Sequence, residues 1–266
     1  MNHYQAIRSN KQKSWLVIVS FVTFIVGAAY VMARGFGFGL DFVGIALIIS
    51  GAMSFASYWF SDQIILKLSG AREATKQEFF DYYTVTENLV MAQRMPMPKL
   101  YVIEDTAMNA FATGRDPQHG VVCATTGLLT RLDRSEIEAV VAHELSHIQN
   151  YDIRLMSIVT ILVGFVALLS DWMLRMTFWG GRNRDSDNNS GQAQMIMFVA
   201  GLVLALLSPL VAQLIQLAIS RRREFLADAS AVGITKNPEG LARALEKLDA
   251  DREPLEAANK ATAHMY

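Results

Sequence analysis

The chain contains four long runs without an ionisable side chain, at residues 15–33, 42–60, 155–170 and 193–219. At about 1.5 Å of rise per residue, each of the first two would reach roughly 28 Å as a helix, close to the bilayer hydrocarbon thickness of about 30 Å. Tryptophan and tyrosine near the run ends are typical of membrane interfaces. The pattern therefore predicts membrane-spanning helices over 15–33, 42–60, about 155–174 and 193–219.

Two alternatives stay open for these runs. A buried core helix of a soluble protein can be equally free of charge, and the run at 155–170 is short for a bilayer. A cleaved signal peptide could account for the first run, but signal peptides have apolar regions of only about 7–15 residues. A second apolar run also follows within ten residues of the first. We therefore prefer a membrane anchor.

The distribution of cations predicts the orientation of this anchor. Residues 1–14 carry Arg8, Lys11 and Lys13 and no acid, whereas the loop 34–41 has one cation. Because cytoplasmic flanks of membrane helices are enriched in Lys and Arg, we expect the amino terminus in the cytoplasm. The predicted organisation is an amino-terminal transmembrane hairpin (1–61), a cytosolic segment (62–154), a second hairpin (155–219) and a second cytosolic segment (220–266).

Composition excludes several other classes of protein. The 24 Lys and Arg residues balance 25 Asp and Glu residues, so there is no global basic surface for nucleic acid. A single cysteine, Cys123, excludes an intrachain disulfide framework, and a hydrophobic content of 52% excludes a disordered chain. Charged residues make up 18% of the chain, and outside the four runs the fraction returns to about a quarter, the ordinary soluble value.

The first cytosolic segment contains the sequence His-Glu-Leu-Ser-His at residues 143–147. Histidines four residues apart lie on one helix face, so His143 and His147 can bind one Zn²⁺ while Glu144 acts on the metal-bound water. A capping box formed by Ser135 and Glu138 is predicted at the start of this helix. Its other face repeats apolar residues at helical spacing, which predicts a core face: Ile137, Val140, Val141, Leu145 and Ile148. The alternative is a chance occurrence of a short pattern.

A catalytic zinc site needs a third protein ligand and an open position for water. Glu224 is the candidate ligand. Asp228 follows it by four residues on the same helix face and can accept a hydrogen bond from a ligand histidine. The alternative for these two carboxylates is a solvated helix face beside three consecutive arginines.

Four segments in combination resemble the bacterial membrane zinc protease family HtpX, which is related to the eukaryotic CaaX prenyl protease: residues 109–115 (NAFATGR), 125–129 (TTGLL), 142–147 (AHELSH) and 223–228 (REFLAD). The resemblance extends over nearly the whole chain. It implies a mainly α fold with a small β-sheet, in a multi-pass membrane protein with a gluzincin-like zinc-protease domain. It implies that one Zn²⁺ is bound by His143, His147 and Glu224, that Glu144 is the catalytic base, and that Asp228 supports a ligand histidine.

The resemblance also implies a location and a class of substrate. We expect a protein of the bacterial inner membrane with a cytoplasmic catalytic domain, acting on unfolded or membrane-protein polypeptides in stress-linked quality control. Its partners would be the lipid bilayer and those polypeptides, with no nucleic acid. Residues Val121, Val122, Cys123 and Ala124 would form an exposed strand edge to which a peptide adds as an extra strand. Family members also continue past the equivalent of 263–266 with a His-Pro-Pro segment that this sequence lacks.

Two other function classes compete with the protease. A catalytically silent membrane scaffold could retain a structural zinc site, but such a site has no need of a carboxylate beside its first ligand, so Glu144 favours the enzyme. A transporter of ions or protons usually needs ionisable residues within the membrane, and the four runs contain none. The sequence therefore predicts a membrane-bound zinc endopeptidase.

Overall fold

The computed structural model describes residues 3–36, 39–179 and 221–254, and elements are numbered over these residues. The helices are α1 (His3–Phe36), α2 (Leu40–Trp59), α3 (Ser61–Leu68), α4 (Phe80–Gln93), α5 (Thr126–Arg131), α6 (Arg134–Gln149), α7 (Asp152–Trp179), α8 (Arg221–Thr235) and α9 (Pro238–Ala250). The strands are β1 (Arg72–Glu73), β2 (Lys99–Ile103), β3 (Ala110–Thr113) and β4 (Val121–Thr125). The prediction of a mainly helical chain with a small sheet is confirmed. The predicted fourth membrane span, 193–219, lies outside the described residues.

The four strands form one mixed sheet in the order β1-β2-β4-β3. Strand β4 is parallel to β2 on one side and antiparallel to β3 on the other, and all five of its residues are buried. The prediction that Val121, Val122, Cys123 and Ala124 form an exposed edge is therefore wrong. Strand β3 lies at this edge instead. The chain turns back after β3, so β4 pairs between β3 and β2.

The turn between β3 and β4 depends on a glycine. Gly114 has a φ of 129°, a conformation that favours glycine, and a Cβ atom there would lie 2.2 Å from the carbonyl oxygen of His119. Within the same turn, the Asp116 carboxylate accepts a hydrogen bond from the backbone N–H of His119. This close approach gives a structural reason for the glycine of the NAFATGR segment.

Helix α6 begins with a capping box two residues earlier than the sequence pattern predicted. Asp133 accepts hydrogen bonds from the backbone N–H groups of Ser135 and Glu136, and the Glu136 carboxylate accepts one from the backbone N–H of Asp133. The predicted pair of Ser135 and Glu138 does not form the box, because Asp133 occupies the capping position. The predicted core face is confirmed, since all its residues are buried: Ile137, Val140, Val141, Leu145 and Ile148.

The amino-terminal helices pack against α7. An apolar cluster joins α1 to α7 through Val17 and Phe21 on one side and Leu155, Ile158 and Leu162 on the other. Within the described residues, no single helix is both long and apolar enough to cross a membrane. Val43–Trp59 and Ser61–Leu68, which meet at 83°, reach that length and composition only as a pair. The individual membrane crossings stay predictions.

Candidate metal centre

Three side chains converge where α8 crosses α6. The Nε2 atoms of His143 and His147 lie 3.1 Å apart, and Oε2 of Glu224 lies 3.5 Å from each of them. The two histidines come from successive turns of α6, as their four-residue spacing predicts. Glu224 comes from the first turn of α8, 77 residues beyond His147 in the sequence.

Small side chains allow the two helices to approach each other. Helix α8 packs against α6, and its Ala227 and Ala231 are fully buried. Because residues three and four apart share a helix face, Glu224 and Asp228 project from the same side of α8 as these alanines. The packing of α8 on α6 therefore brings both carboxylates to the two histidines.

Each histidine has a carboxylate behind it. Nδ1 of His143 lies 2.9 Å from Oδ1 of Asp228, and Nδ1 of His147 lies 3.0 Å from Oδ2 of Asp152. A carboxylate at Nδ1 holds the proton there and leaves Nε2 as the metal-binding atom, which also fixes the orientation of the ring. The structure thus places Asp228 where the sequence predicted it.

Sequence reasoning missed Asp152. It lies only five residues after His147, but Tyr151 stands between them with a left-handed backbone, φ 60°, and ends one helix before the next begins. This turn folds the first residue of α7 back onto the last turn of α6. The proximity of an acid to the second histidine was visible in the sequence, but the direction of its side chain was not.

The two histidines and Glu224 shift one another's pKa values. Burial by itself lowers the pKa of His147, but hydrogen bonds to Asp152 and Glu224 outweigh it and raise that pKa to about 10. Burial also lowers the pKa of His143, but the contact with Glu224 and the charges of Glu144 and Asp228 together outweigh it and raise that pKa. Burial raises the pKa of Glu224, yet the two histidines hold it well below its usual range. Metal binding at these histidines is therefore coupled to the release of the protons they hold.

The geometry fits a zinc ion. Zinc bonds of about 2.0–2.1 Å in a tetrahedron separate neighbouring ligand atoms by roughly 3.3 Å. The observed separations of 3.1, 3.5 and 3.5 Å bracket that value. Two imidazoles and one carboxylate are also a donor set of catalytic zinc sites, which leave a fourth position open. The residues present therefore suit the metal that the sequence pattern predicted.

Glu144 follows His143 on α6 and is 8% exposed. It borders a narrow apolar gap between α6 and the sheet that has no room for a water molecule, together with Ala110 of β3 and Val140 of α6. Val122 and Ala124 of β4 line the same gap, and the Tyr82 hydroxyl donates a hydrogen bond to the carbonyl of Val122. Like these two residues, Cys123 is buried, but it belongs to a different core cluster. The gap is therefore part of the core packing and not a substrate cleft.

Comparisons with known proteins agree with this chemistry. The profile of Peptidase family M48 matches residues 76–263. A protease HtpX homolog from Dictyoglomus thermophilum is 43% identical over 265 residues, covering 99% of this chain and 85% of that protein. A second protease HtpX homolog, from Ligilactobacillus salivarius, is 39% identical over 270 residues and covers 99% of this chain and 89% of that protein.

A similar solved structure is the crystal structure of Ste24p from S. mikatae. It aligns with a TM-score of 0.44 and 19% identity over 98% of this chain. The alignment spans 63% of the Ste24p chain.

Proposed function

The chain belongs to peptidase family M48 and is a metalloprotease, and from this premise we propose that it is a membrane-bound zinc endopeptidase with Glu144 as its general base. The observation that carries the proposal is the cluster of His143, His147 and Glu224, whose ligand atoms all lie within 4.8 Å of one another. Both histidine Nδ1 atoms face carboxylates, which leaves their Nε2 atoms directed at Glu224.

The chain's own residues divide the chemistry between them. A bound zinc supplies Lewis acidity, polarising the scissile carbonyl and lowering the pKa of water toward about 7. Glu144 accepts a proton from the attacking water and delivers it to the leaving amine, so the peptide bond breaks and two shorter peptides result. The carboxylates of Asp228 and Asp152 keep the two imidazoles oriented throughout.

We propose that the substrate is an unfolded polypeptide. Within the described residues, β3 is the last strand on its side of the sheet, whereas β4 is paired on both sides. Strand β3 is itself largely buried, and the Thr113 hydroxyl lies 2.9 Å from the Ser157 hydroxyl of α7. We therefore assign peptide binding to neither strand, and the proposal rests on the metal-ligand cluster alone.

The membrane anchor is supported by the surfaces of α1 and α2. A soluble protein seldom exposes a large contiguous apolar patch. These two helices nevertheless expose many large apolar side chains: Trp15, Leu16, Val19, Tyr30, Ile45, Leu47, Ile48, Ile49, Phe55 and Trp59. Ile48 alone is 72% exposed. We propose that lipid covers this surface and that the metal centre faces the cytoplasm of a bacterial cell. The protease would there cleave misfolded membrane proteins under stress.

Activity of a Glu144→Gln variant tests the enzyme assignment. In detergent, the zinc-loaded wild-type protein is expected to cleave unfolded casein, and Glu144→Gln should retain one zinc per chain but lose about 10²–10⁴-fold in rate. Glu138→Gln, the same change on the same helix, is the matched control and should retain activity. A wild-type protein that holds zinc but cleaves no faster than Glu144→Gln would favour the alternative, a silent scaffold with a structural zinc site.

Cysteine labelling from the two sides of the membrane tests the topology. Native Cys123 is fully buried, so its background labelling should be low. The exposed Lys99, changed to cysteine, should react only from the cytoplasmic side, and a cysteine at position 185 only from the external side. Labelling of both positions from one side would contradict the third and fourth crossings while leaving the protease assignment intact.

A further inference from the structure

The turn that leads into Asp152 is in contact with the amino-terminal helix α1. Tyr151 has a φ of 60°, a left-handed conformation that is unfavourable for a non-glycine residue. Nζ of Lys11, on α1, lies 4.1 Å from the centre of the Tyr151 ring, and the guanidinium of Arg154 lies 5.0 Å from it. Contacts from α1 thus help hold an unfavourable turn at the end of the helix that bears both histidines.

Asn10 makes the most direct link between α1 and this turn. Its Nδ2 donates hydrogen bonds to the carbonyl of Asn150, at 3.1 Å, and to Oδ1 of Asp152, at 2.5 Å. The residue is 2% exposed and lies on the buried stripe of α1 that continues into the apolar contact with α7: Ala6, Asn10, Ser14, Val17 and Phe21. A buried amide needs hydrogen-bond partners, and both partners found here belong to the turn beside the metal centre.

The Asp152 carboxylate therefore connects three parts of the chain. Its Oδ1 accepts from Asn10 and lies 3.5 Å from Nε of the buried Arg223, while its Oδ2 faces Nδ1 of His147. Fixing one oxygen of a carboxylate fixes the direction of the other. The amide of Asn10 consequently helps to determine where Oδ2 stands and how the His147 ring is turned.

We propose that Asn10 is a positioning residue of the metal centre, acting on His147 through Asp152, so that the site binds zinc at full affinity only when α1 is docked. This proposal rests on the zinc site of the proposed function. It assigns the amino-terminal helix a role in assembling the catalytic centre, in addition to anchoring. Groups that orient a ligand histidine typically account for 10–100-fold in metal affinity. Asn10 acts one step further out, so we expect about the lower end, roughly tenfold.

Zinc affinity of an Asn10→Ala variant, measured by competition with a chromophoric chelator on the full-length protein in detergent, tests the proposal. Ser14→Ala is the matched control, because Ser14 is equally buried one turn further along α1 and its hydroxyl donates to the carbonyl of Asn10 within the same helix. Asn10→Ala should bind zinc about tenfold more weakly than Ser14→Ala. The visible spectrum of the Co²⁺-substituted protein should change in Asn10→Ala and not in Ser14→Ala.

Thermal unfolding of the metal-free variants separates positioning from simple helix docking. Without metal, Asn10→Ala is expected to lose more stability than Ser14→Ala, because Asn10 bonds to the turn beside the metal centre and the Ser14 hydroxyl bonds within α1. If Asn10→Ala lowers metal-free stability but leaves the zinc affinity equal to that of Ser14→Ala, the proposal is wrong and Asn10 only docks α1. If Asn10→Ala does not fold, Asn10→Ser replaces it in the same comparison.

A double-mutant cycle checks the route through Asp152. In an Asp152→Ala background, Asn10→Ala should weaken zinc binding by less than twofold, because the carboxylate that transmits its effect is gone. A full tenfold effect in that background would overturn the proposed route. A wild-type protein that binds no zinc would instead overturn the proposed function itself, so the two failures are distinguishable.

Discussion

Two buried carboxylates hold α6, one near each end. Glu136, in the first turn, is 1% exposed and contacts Lys247 at 2.7 Å and Arg243 at 3.4 Å, both on α9. Asp152, just beyond the last turn, is also 1% exposed and contacts Arg223 of α8. Both tie α6 to a later helix, but only Asp152 contacts a histidine of the metal centre.

This difference in contacts predicts that Glu136 affects only stability, whereas Asp152 affects stability and metal binding. The basic partners of Glu136 are both partly exposed and lie on α9, so this carboxylate stabilises the packing of α9 on α6. The partners of Asp152 are buried, and one of them is His147. We therefore expect changes at Glu136 to affect folding alone, and changes at Asp152 to affect folding and metal affinity together.

Asp152→Ala should have the largest effect. It removes a carboxylate that contacts the buried Arg223 guanidinium and that accepts from Nδ1 of His147, so the free energy of unfolding should fall by about 3 kcal/mol. Zinc affinity should fall about 10–100-fold. Chemical denaturation of the metal-free protein and chelator competition measure the two effects, with the exposed Asp249→Ala on α9 as control. If zinc affinity were unchanged, Asp152 would act on stability alone, as we expect for Glu136, and the proposed difference between the two ends of α6 would be wrong.

Glu136→Gln should reduce stability by about 2 kcal/mol, because the change removes the charge from a buried acceptor of two hydrogen bonds while keeping its shape. Its zinc dissociation constant should stay within twofold of wild type. Denaturation and chelator competition are again the measurements. A loss of zinc affinity as large as that of Asp152→Ala would show that the two ends are not independent.

Asp228→Asn should weaken zinc binding with little effect on stability, the reverse of what we expect for Glu136→Gln. Its side chain is 34% exposed, so the metal-free stability should change by less than about 0.5 kcal/mol. Zinc affinity should still fall about tenfold, since the carboxylate behind His143 is lost. A stability loss comparable with that of Glu136→Gln would mean that Asp228 also contributes to the packing of α8 on α6.

Acidification should reduce the difference in the free energy of unfolding between the wild-type protein and Glu136→Gln. Burial raises the pKa of Glu136, but hydrogen bonds from Lys247 and from the backbone of Asp133 outweigh it, and the pKa lies below its usual value of 4.5. A lowered pKa stabilises the fold above the unfolded-state value and loses that contribution as the pH falls through the folded-state value. Unfolding measured from pH 7 to pH 3 should show the gap narrowing below about pH 4.5. A constant gap would contradict this linkage.

Much of the candidate site followed from local spacing. His143 and His147, like Glu224 and Asp228, are four positions apart in the sequence, so each pair shares a helix face whatever the rest of the chain does. The core face of α6 followed from the same periodicity. The capping box was predicted two residues late, because Ser135 and Asp133 both suit a helix start and only the backbone geometry shows which one accepts the hydrogen bonds.

The sequence by itself determined the chemistry of the site: which imidazoles and carboxylates are present and which of them share a helix face. Only the tertiary structure decided that β3 and not β4 lies at the sheet edge, that Asp152 turns back onto His147, and that Asn10, 142 residues before Asp152, reaches its carboxylate. The physical reason is that helical periodicity relates residues within a few positions of one another. Contacts between distant segments depend instead on how whole helices and strands pack.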